Sequence, residues 1–191
     1  MSDEEILEKL PREMRDAVLA DRGANLVPLI EQALHGIQEA RNRYGPILHL
    51  AIECGRDDPA RSEALLREAI ALDPGKPDAW IYLAGYLFYA REDIEGAERA
   101  IREGASRARA AGCLVRYAYG TMIRVALKRN DFATVERALT DLLAYRPMAG
   151  MGDVKLETDF IPWIPEGAVS ADLIKRYVEA AALERRPPPS S

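Results

Sequence analysis

The chain of 191 residues holds only two cysteines, two histidines, two tryptophans and three phenylalanines. Cys54 and Cys113 lie far apart, and neither belongs to a C-x-x-C pair, so a zinc ribbon or a redox dithiol is not expected. They read as structural thiols buried in a reducing compartment. Strand-forming residues are also scarce, with eight valines and four threonines. No apolar β-branched run is long enough for a sheet strand, which excludes an all-β fold or a parallel α/β fold. No apolar stretch approaches the ~20 residues that span a bilayer, so no membrane partner is expected. The opening Met1-Ser2-Asp3-Glu4-Glu5 is acidic and lacks the basic-then-apolar pattern of a secretory leader, which reads as cytoplasmic. Positive charge is in deficit: 26 Lys and Arg face 31 Asp and Glu, a net charge of −5. That balance argues against nucleic acid as the partner, because such binding draws on phosphate neutralisation.

What the chain has in abundance is alanine, with 30 residues, and alanine is the strongest helix former. Ser2 and Glu5 form a capping-box pattern, with Met1 and Ile6 as a staple. Pro11 suits a first helical turn, and that segment ends near Gly23. Asn25 caps a longer helix whose stripe runs through Leu26, Leu29, Ile30, Ala33, Leu34, Ile37 and Ala40. Gly45-Pro46 is expected to break or kink that helix and start the next.

From about residue 44 the sequence repeats. Arg56-Asp57-Asp58, Arg91-Glu92-Asp93 and Arg129-Asn130-Asp131 are three copies of one turn. Glu63, Glu98 and Glu136 follow five residues after the last Asp, and Leu66, Ile101 and Leu139 follow eight after it. Asp is a good N-cap, so each turn closes one helix and opens another. The Asp-to-Asp steps are 35 and 38 residues, near the period of about 34 that marks stacked helix–turn–helix units. Ala64, Ala69, Ala84, Ala97 and Ala138 fall where neighbouring helices must approach closely.

Ala69-Ile70-Ala71-Leu72-Asp73-Pro74 fits the small–large–x–Leu–x–Pro close of a tetratricopeptide repeat. Trp80-Ile81-Tyr82-Leu83-Ala84 is similar to the Trp-x-x-Leu-Gly opening, with Ala84 replacing glycine. Asp93-Ile94-Glu95-Gly96-Ala97 and Asp131-Phe132-Ala133-Thr134-Val135 are similar to the Asp-Tyr-x-x-Ala helix start. Over about residues 44–147 the chain thus resembles the tetratricopeptide repeat family. The resemblance implies an all-α fold, a right-handed α-α superhelix of about three repeats whose concave wall is lined by the first helix of each. Those first helices are roughly 46–54, 77–90 and 113–128. Around them the expected organisation is N-terminal helices over 1–44, repeats over 45–147, an irregular connector over 148–169, a capping helix over 170–184 and a disordered tail over 185–191.

No catalytic motif stands out. His35 with Glu39, and His49 with Glu53, are one helical turn apart, too few ligands for a metal. Cys54 and His49 point to different sides of a helix. No enzyme activity, cofactor or metal is expected. The resemblance instead implies a protein-binding module that holds a peptide or partner helix in its groove. The groove positions that match are Tyr44, Ile47, Asp78, Ile81, Phe88, Tyr117 and Arg124. Tyr82, Tyr86 and Tyr89, at steps of four and three, give one helix a tyrosine-rich face suited to an interface. Trp80 is expected in the core. Of the Lys, Arg and Asn set that some family members use to clamp a peptide C-terminus, only Arg124 matches in sign, so that specificity does not carry over. Arg107, Arg109 and Arg116 form a basic cluster that reads as a solvated face. The alternatives are self-assembly as a homo-oligomer and an accessory role beside an enzyme.

Met148–Asp153 reads as a flexible turn. The two prolines of Phe160-Ile161-Pro162-Trp163-Ile164-Pro165 favour an extended piece, expected to fold back over the groove or the last repeat because it is too apolar to stay uncovered. Ser170 caps the final helix, with Leu173, Ile174, Tyr177, Val178 and Ala181 on one face.

Overall fold

The computed structural model describes residues 27–37, 40–147 and 154–184. The expectations for residues 1–26, for the Met148–Asp153 turn and for the tail lie outside the described residues. Within these residues the chain forms eight α-helices and no strand. They are α1 (Val27–Gly36), α2 (Ala40–Cys54), α3 (Pro59–Leu72), α4 (Pro77–Tyr89), α5 (Ile94–Ala111), α6 (Val115–Lys128), α7 (Phe132–Ala144) and α8 (Ala171–Glu184). None of them is long and apolar enough to cross a membrane. The chain divides into two compact units, Met1–Leu83 and Ala84–Ser191.

In the first unit α1 packs on α2 and α2 on α3. The sequence pattern predicts one helix from Leu26 to Ala40, but α1 stops at Gly36, where Ile37 N–H turns back to the Leu34 carbonyl (3.3 Å). Pro46 does not break α2 as expected; the helix runs through it. An interior proline costs about 3 kcal/mol. Here Pro46 is buried with Tyr44, Ile47, Leu48, Leu50 and Ala51, and burial of several such side chains at about 1.5–3 kcal/mol each outweighs that cost. Ile30, Leu50 and Cys54 form one core cluster, with Val27, Leu34 and Leu65 against it. Cys54 is buried as expected, whereas Cys113, in the second unit, is only half-buried. Tyr44 is 2% exposed, and its hydroxyl accepts the Ala79 N–H at the start of α4 (3.3 Å). Burial, then the charge of Asp78, pushes the Tyr44 phenol well above its ordinary range. Trp80 is not core: its ring is half-buried, and the indole N–H donates to the Pro74 carbonyl (3.1 Å) in the preceding turn.

The three Asp turns act as the repeat pattern predicts. Asp58 accepts from Arg61 N–H (3.0 Å), Asp93 from Gly96 N–H (2.8 Å) and Asp131 from Thr134 N–H (3.1 Å), each as the N-cap of the helix that follows. Asp131 also accepts the Thr134 hydroxyl (2.6 Å). That bond and the Thr134 N–H hold its carboxyl below the ordinary value. The residue before Asp131, Asn130, is left-handed (φ 57°). Asn130 N–H reaches the Leu127 carbonyl (3.0 Å) and Asp131 N–H reaches that of Ala126 (2.9 Å), the bonding pattern that seals a helix C-terminus. Asp131 therefore closes α6 and opens α7. Glu92 takes the corresponding left-handed position (φ 53°) before Asp93.

The aliphatic residues eight positions on, Leu66, Ile101 and Leu139, are all buried. The repeated glutamates serve the surface: Glu63 pairs with Arg67, and Glu98 with Arg102 and Arg129. Ala69, Ala84, Ala97 and Ala138 are buried as close packing requires, whereas Ala64 is exposed.

In the second unit α5 packs on α6, α6 on α7 and α7 on α8. The Ile-Pro-Trp stretch is not extended. Ile161–Trp163 is one 3₁₀ turn with Pro162 in its first two positions, where a missing N–H is no loss. Ser170 caps α8 through the Leu173 N–H (3.4 Å).

Left-handed backbone costs a residue with a Cβ roughly 1–2 kcal/mol, and Asn tolerates it better than Glu. Glu92→Gly is therefore expected to raise stability by up to about 1 kcal/mol in urea unfolding, and Asn130→Gly to change it by less than about 0.5 kcal/mol. A destabilised Glu92→Gly variant would contradict this reading of the turn.

Candidate functional site

The expected binding positions divide between the two units. In the first, Tyr44, Ile47 and Ile81 are 1–2% exposed. These three do not face a groove: each is spent on the core, Tyr44 also as a cap. Asp78 and Tyr82 are half-buried. In the second, Tyr86, Phe88 and Tyr117 are half-buried, and Tyr89 is 63% exposed. Phe88 and Tyr89 pack edge to face, with centroids 4.8 Å apart. The Tyr86 hydroxyl is buried without a hydrogen-bond partner among the described residues.

Arg124 is the position around which other groups gather. Arg116, Gly120 and Arg124 recur every four residues on α6, so they share one stripe of the helix. The Arg124 side chain is 11% exposed. Its Nη2 donates to Glu157 Oε2 (2.8 Å) and to Asp159 Oδ1 (2.7 Å), and the guanidinium lies 5.6 Å from the Phe160 ring centroid. Burial pulls the Arg124 guanidinium down, but the hydrogen bonds to Asp159 and Glu157 outweigh it and hold it above its usual value. The same bond to Arg124 holds Asp159 below the ordinary carboxylate range. Between the two arginines, a Cβ on Gly120 would stand 2.8 Å from Glu157 Oε2 and 3.2 Å from Arg124 Nη1. The glycine opens the space that the Glu157 carboxylate enters.

Arg116 pairs through both Nη atoms with Glu184 at the end of α8 (2.7 and 3.0 Å). The segment 154–160 lies among these groups, and side chains hold its backbone. Arg116 donates to the Val154 carbonyl (3.3 Å), Leu156 N–H donates to Glu184 (3.1 Å), and the Tyr177 hydroxyl donates to the Glu157 carbonyl (3.0 Å). Leu156 and Phe160 are buried, and Phe160 packs near the Tyr177 ring (centroids 6.0 Å apart). Burial, then the charge of Glu157, raises the Tyr177 phenol well above its ordinary range. Of the Phe160–Pro165 piece expected to fold back, only Phe160 is buried, and Trp163 is 54% exposed; the stretch that lies against α6 is the preceding one, 154–160. Tyr89 lies within electrostatic reach. Its hydroxyl is pushed up by partial burial and by Asp159 and Glu157, with Arg124 opposing.

Of the basic cluster, Arg109 is solvated as expected, at 62% exposed, whereas the Arg116 side chain is 12% exposed. Arg107 pairs with Glu103, Arg116 with Glu184, and Arg109 with Asp141 and the Tyr119 hydroxyl (3.0 Å each). Among the described residues no group of three or more His, Cys, Asp or Glu side chains is placed to hold a metal ion. His35 Nδ1 contacts the Glu31 carbonyl (2.7 Å), and His49 lies 3.7 Å from Glu53. The roles of Glu157, Asp159 and Gly120 are absent from the sequence-based expectations. The four-residue steps of Arg116, Gly120 and Arg124, with the acidic Lys155–Phe160 stretch downstream, are the signal that points to them.

No protein-family model matches the chain, and neither a curated protein nor a solved structure does. The tetratricopeptide resemblance rests on the residues quoted for it.

Because Asp159 titrates lower in the folded chain than in the unfolded one, its contribution is complete above the ordinary carboxylate value of about 3.9 and is lost as the pH falls through the lowered value. Arg124→Gln is expected to lose about 1–2 kcal/mol of stability at neutral pH, and the gap to the native chain to narrow as the pH falls below the ordinary carboxylate range. A gap in urea unfolding that stays constant into acid would contradict the pairing.

Proposed function

We propose that the chain is a non-catalytic protein-binding module, a tetratricopeptide-like superhelix of about three repeats, acting in the cytoplasm on an extended segment of a partner protein. One observation carries this reading. The first helix of the third repeat-like unit, α6, already holds a non-helical stretch of chain, ending in a turn at Asp159–Phe160, by arginine–carboxylate pairs, side-chain bonds to the backbone and two buried apolar anchors. That is the chemistry by which a helical wall holds a peptide. The exposed rings of Tyr89 and Trp163 in the same unit supply further contact area, and aromatic side chains of this kind are enriched at interfaces. The repeated Asp-capped turns support the repeat architecture, and the absence of a catalytic motif in the sequence supports a binding role.

Selection of random peptides against the immobilised full chain tests this. An enriched peptide family is expected, whose members bind at least tenfold more weakly to a Tyr89→Ala, Arg124→Gln double variant that keeps its helical circular dichroism. No enrichment over an unrelated helical protein would contradict the proposal.

A further inference from the structure

We propose that the cleft between α6 and α8 recognises a partner segment of the pattern apolar–acidic–x–acidic–aromatic, and that Leu156–Phe160 is its resident occupant, which the partner must displace. The inference rests on the protein-binding reading and names its ligand class.

Three observations carry it. First, the backbone of the resident segment is held from both sides by side chains: Arg116 on α6, and Tyr177 and Glu184 on α8. Such contacts to main-chain groups are open to any chain that follows the same path, including its turn at Asp159–Phe160. Second, the specific contacts are separable. Arg124 takes the two carboxylates, and the Leu156 and Phe160 side chains are the buried anchors. The cations of the stripe select acidic ligands, and the Gly120 gap fixes where the first carboxylate enters. A glycine inside a helix costs roughly 1 kcal/mol against alanine, and α6 carries that cost at the point of entry. Third, α8 has its own seat. It packs on α7 and buries Leu173 and Ala181 besides Tyr177, whose ring and hydroxyl also meet the resident segment, so α8 is held in part without that segment.

The resident is tethered, which sets its effective concentration at roughly the millimolar level. A free peptide with the same contacts therefore competes poorly with the native chain and well with a chain whose resident is weakened. The probe is a fluorescein-labelled peptide with the sequence of residues 154–164, read by anisotropy. Against full-length protein carrying Glu157→Gln, Asp159→Asn and Phe160→Ala, it is expected to bind at least tenfold more tightly than to the native chain. Adding Arg124→Gln to that background is expected to weaken binding at least tenfold, and Gly120→Ala to weaken it less, because the ends of Glu157 and Arg124 can shift. Gly120→Ala favours the helix, so its weaker binding reports the narrowed entry rather than unfolding. Equal binding to the native and weakened chains, or binding indifferent to Arg124→Gln, would overturn the proposal.

If the weakened chain does not fold, the native chain is titrated with millimolar peptide and followed by amide NMR. Shifts at Gly120 and Phe160 support displacement, and their absence overturns it. Peptides selected in the preceding experiment that lack the acidic–aromatic pattern and ignore Arg124 would leave the binding-module reading standing and remove this one.

Discussion

Arg124 holds the carboxylates of Glu157 and Asp159, which lie 33 and 35 residues downstream, and stands near the Phe160 ring. The C-terminal part of the second unit is organised around this contact. The ion pairs are not its main source of energy, because Asp159 is 60% exposed and exposed pairs contribute about 0–1 kcal/mol. Burying Leu156 and Phe160 contributes about 1.5–3 kcal/mol each. The apolar anchors hold the segment, and the arginine fixes which residues sit where. Gly120 leaves room for the Glu157 carboxylate, since a Cβ there would stand 2.8 Å from Glu157 Oε2 and the carboxylate would have to shift.

The helices that carry this contact are set by a simpler device. At three of the turns one aspartate caps the next helix, α3, α5 or α7, and at Asp131 the same residue also satisfies a carbonyl of α6 before it; α6 itself starts at Leu114 without a side-chain cap. Turns of three or four residues leave little freedom between successive helices. In the second unit such turns bring α5, α6 and α7 into contact in chain order, while α8 reaches α7 after the long connection from Ala144 to Ala171, and one stripe of α6 is left for the segment 154–160.

Much of the helical layout was legible in the sequence because its signals are local. The Asp caps, the buried aliphatics eight residues later and Ser170 before α8 each act within a few positions of themselves. Where local rules misled, tertiary burial overrode them. Pro46 sits inside α2 because burial of its neighbours outweighs a lost hydrogen bond. Tyr44, Ile47 and Ile81 match groove positions by pattern, yet the core of the first unit takes them. The candidate site was legible only in part. Arg124 was visible as a cation on a helical wall, but its partners come from a distant segment that no periodicity connects to α6. That pairing depends on where the chain folds back, which the spacing of residues does not encode.

The central claim is that Arg124 governs the docking of the segment 154–160 on α6. Hydrogen exchange read by mass spectrometry on the native chain and on Arg124→Gln tests it most directly. The account predicts exchange in residues 154–160 at least tenfold faster in the variant, with protection in α5 and α7 unchanged. Equal protection of the segment in both proteins, or protection lost evenly across the second unit, would contradict it.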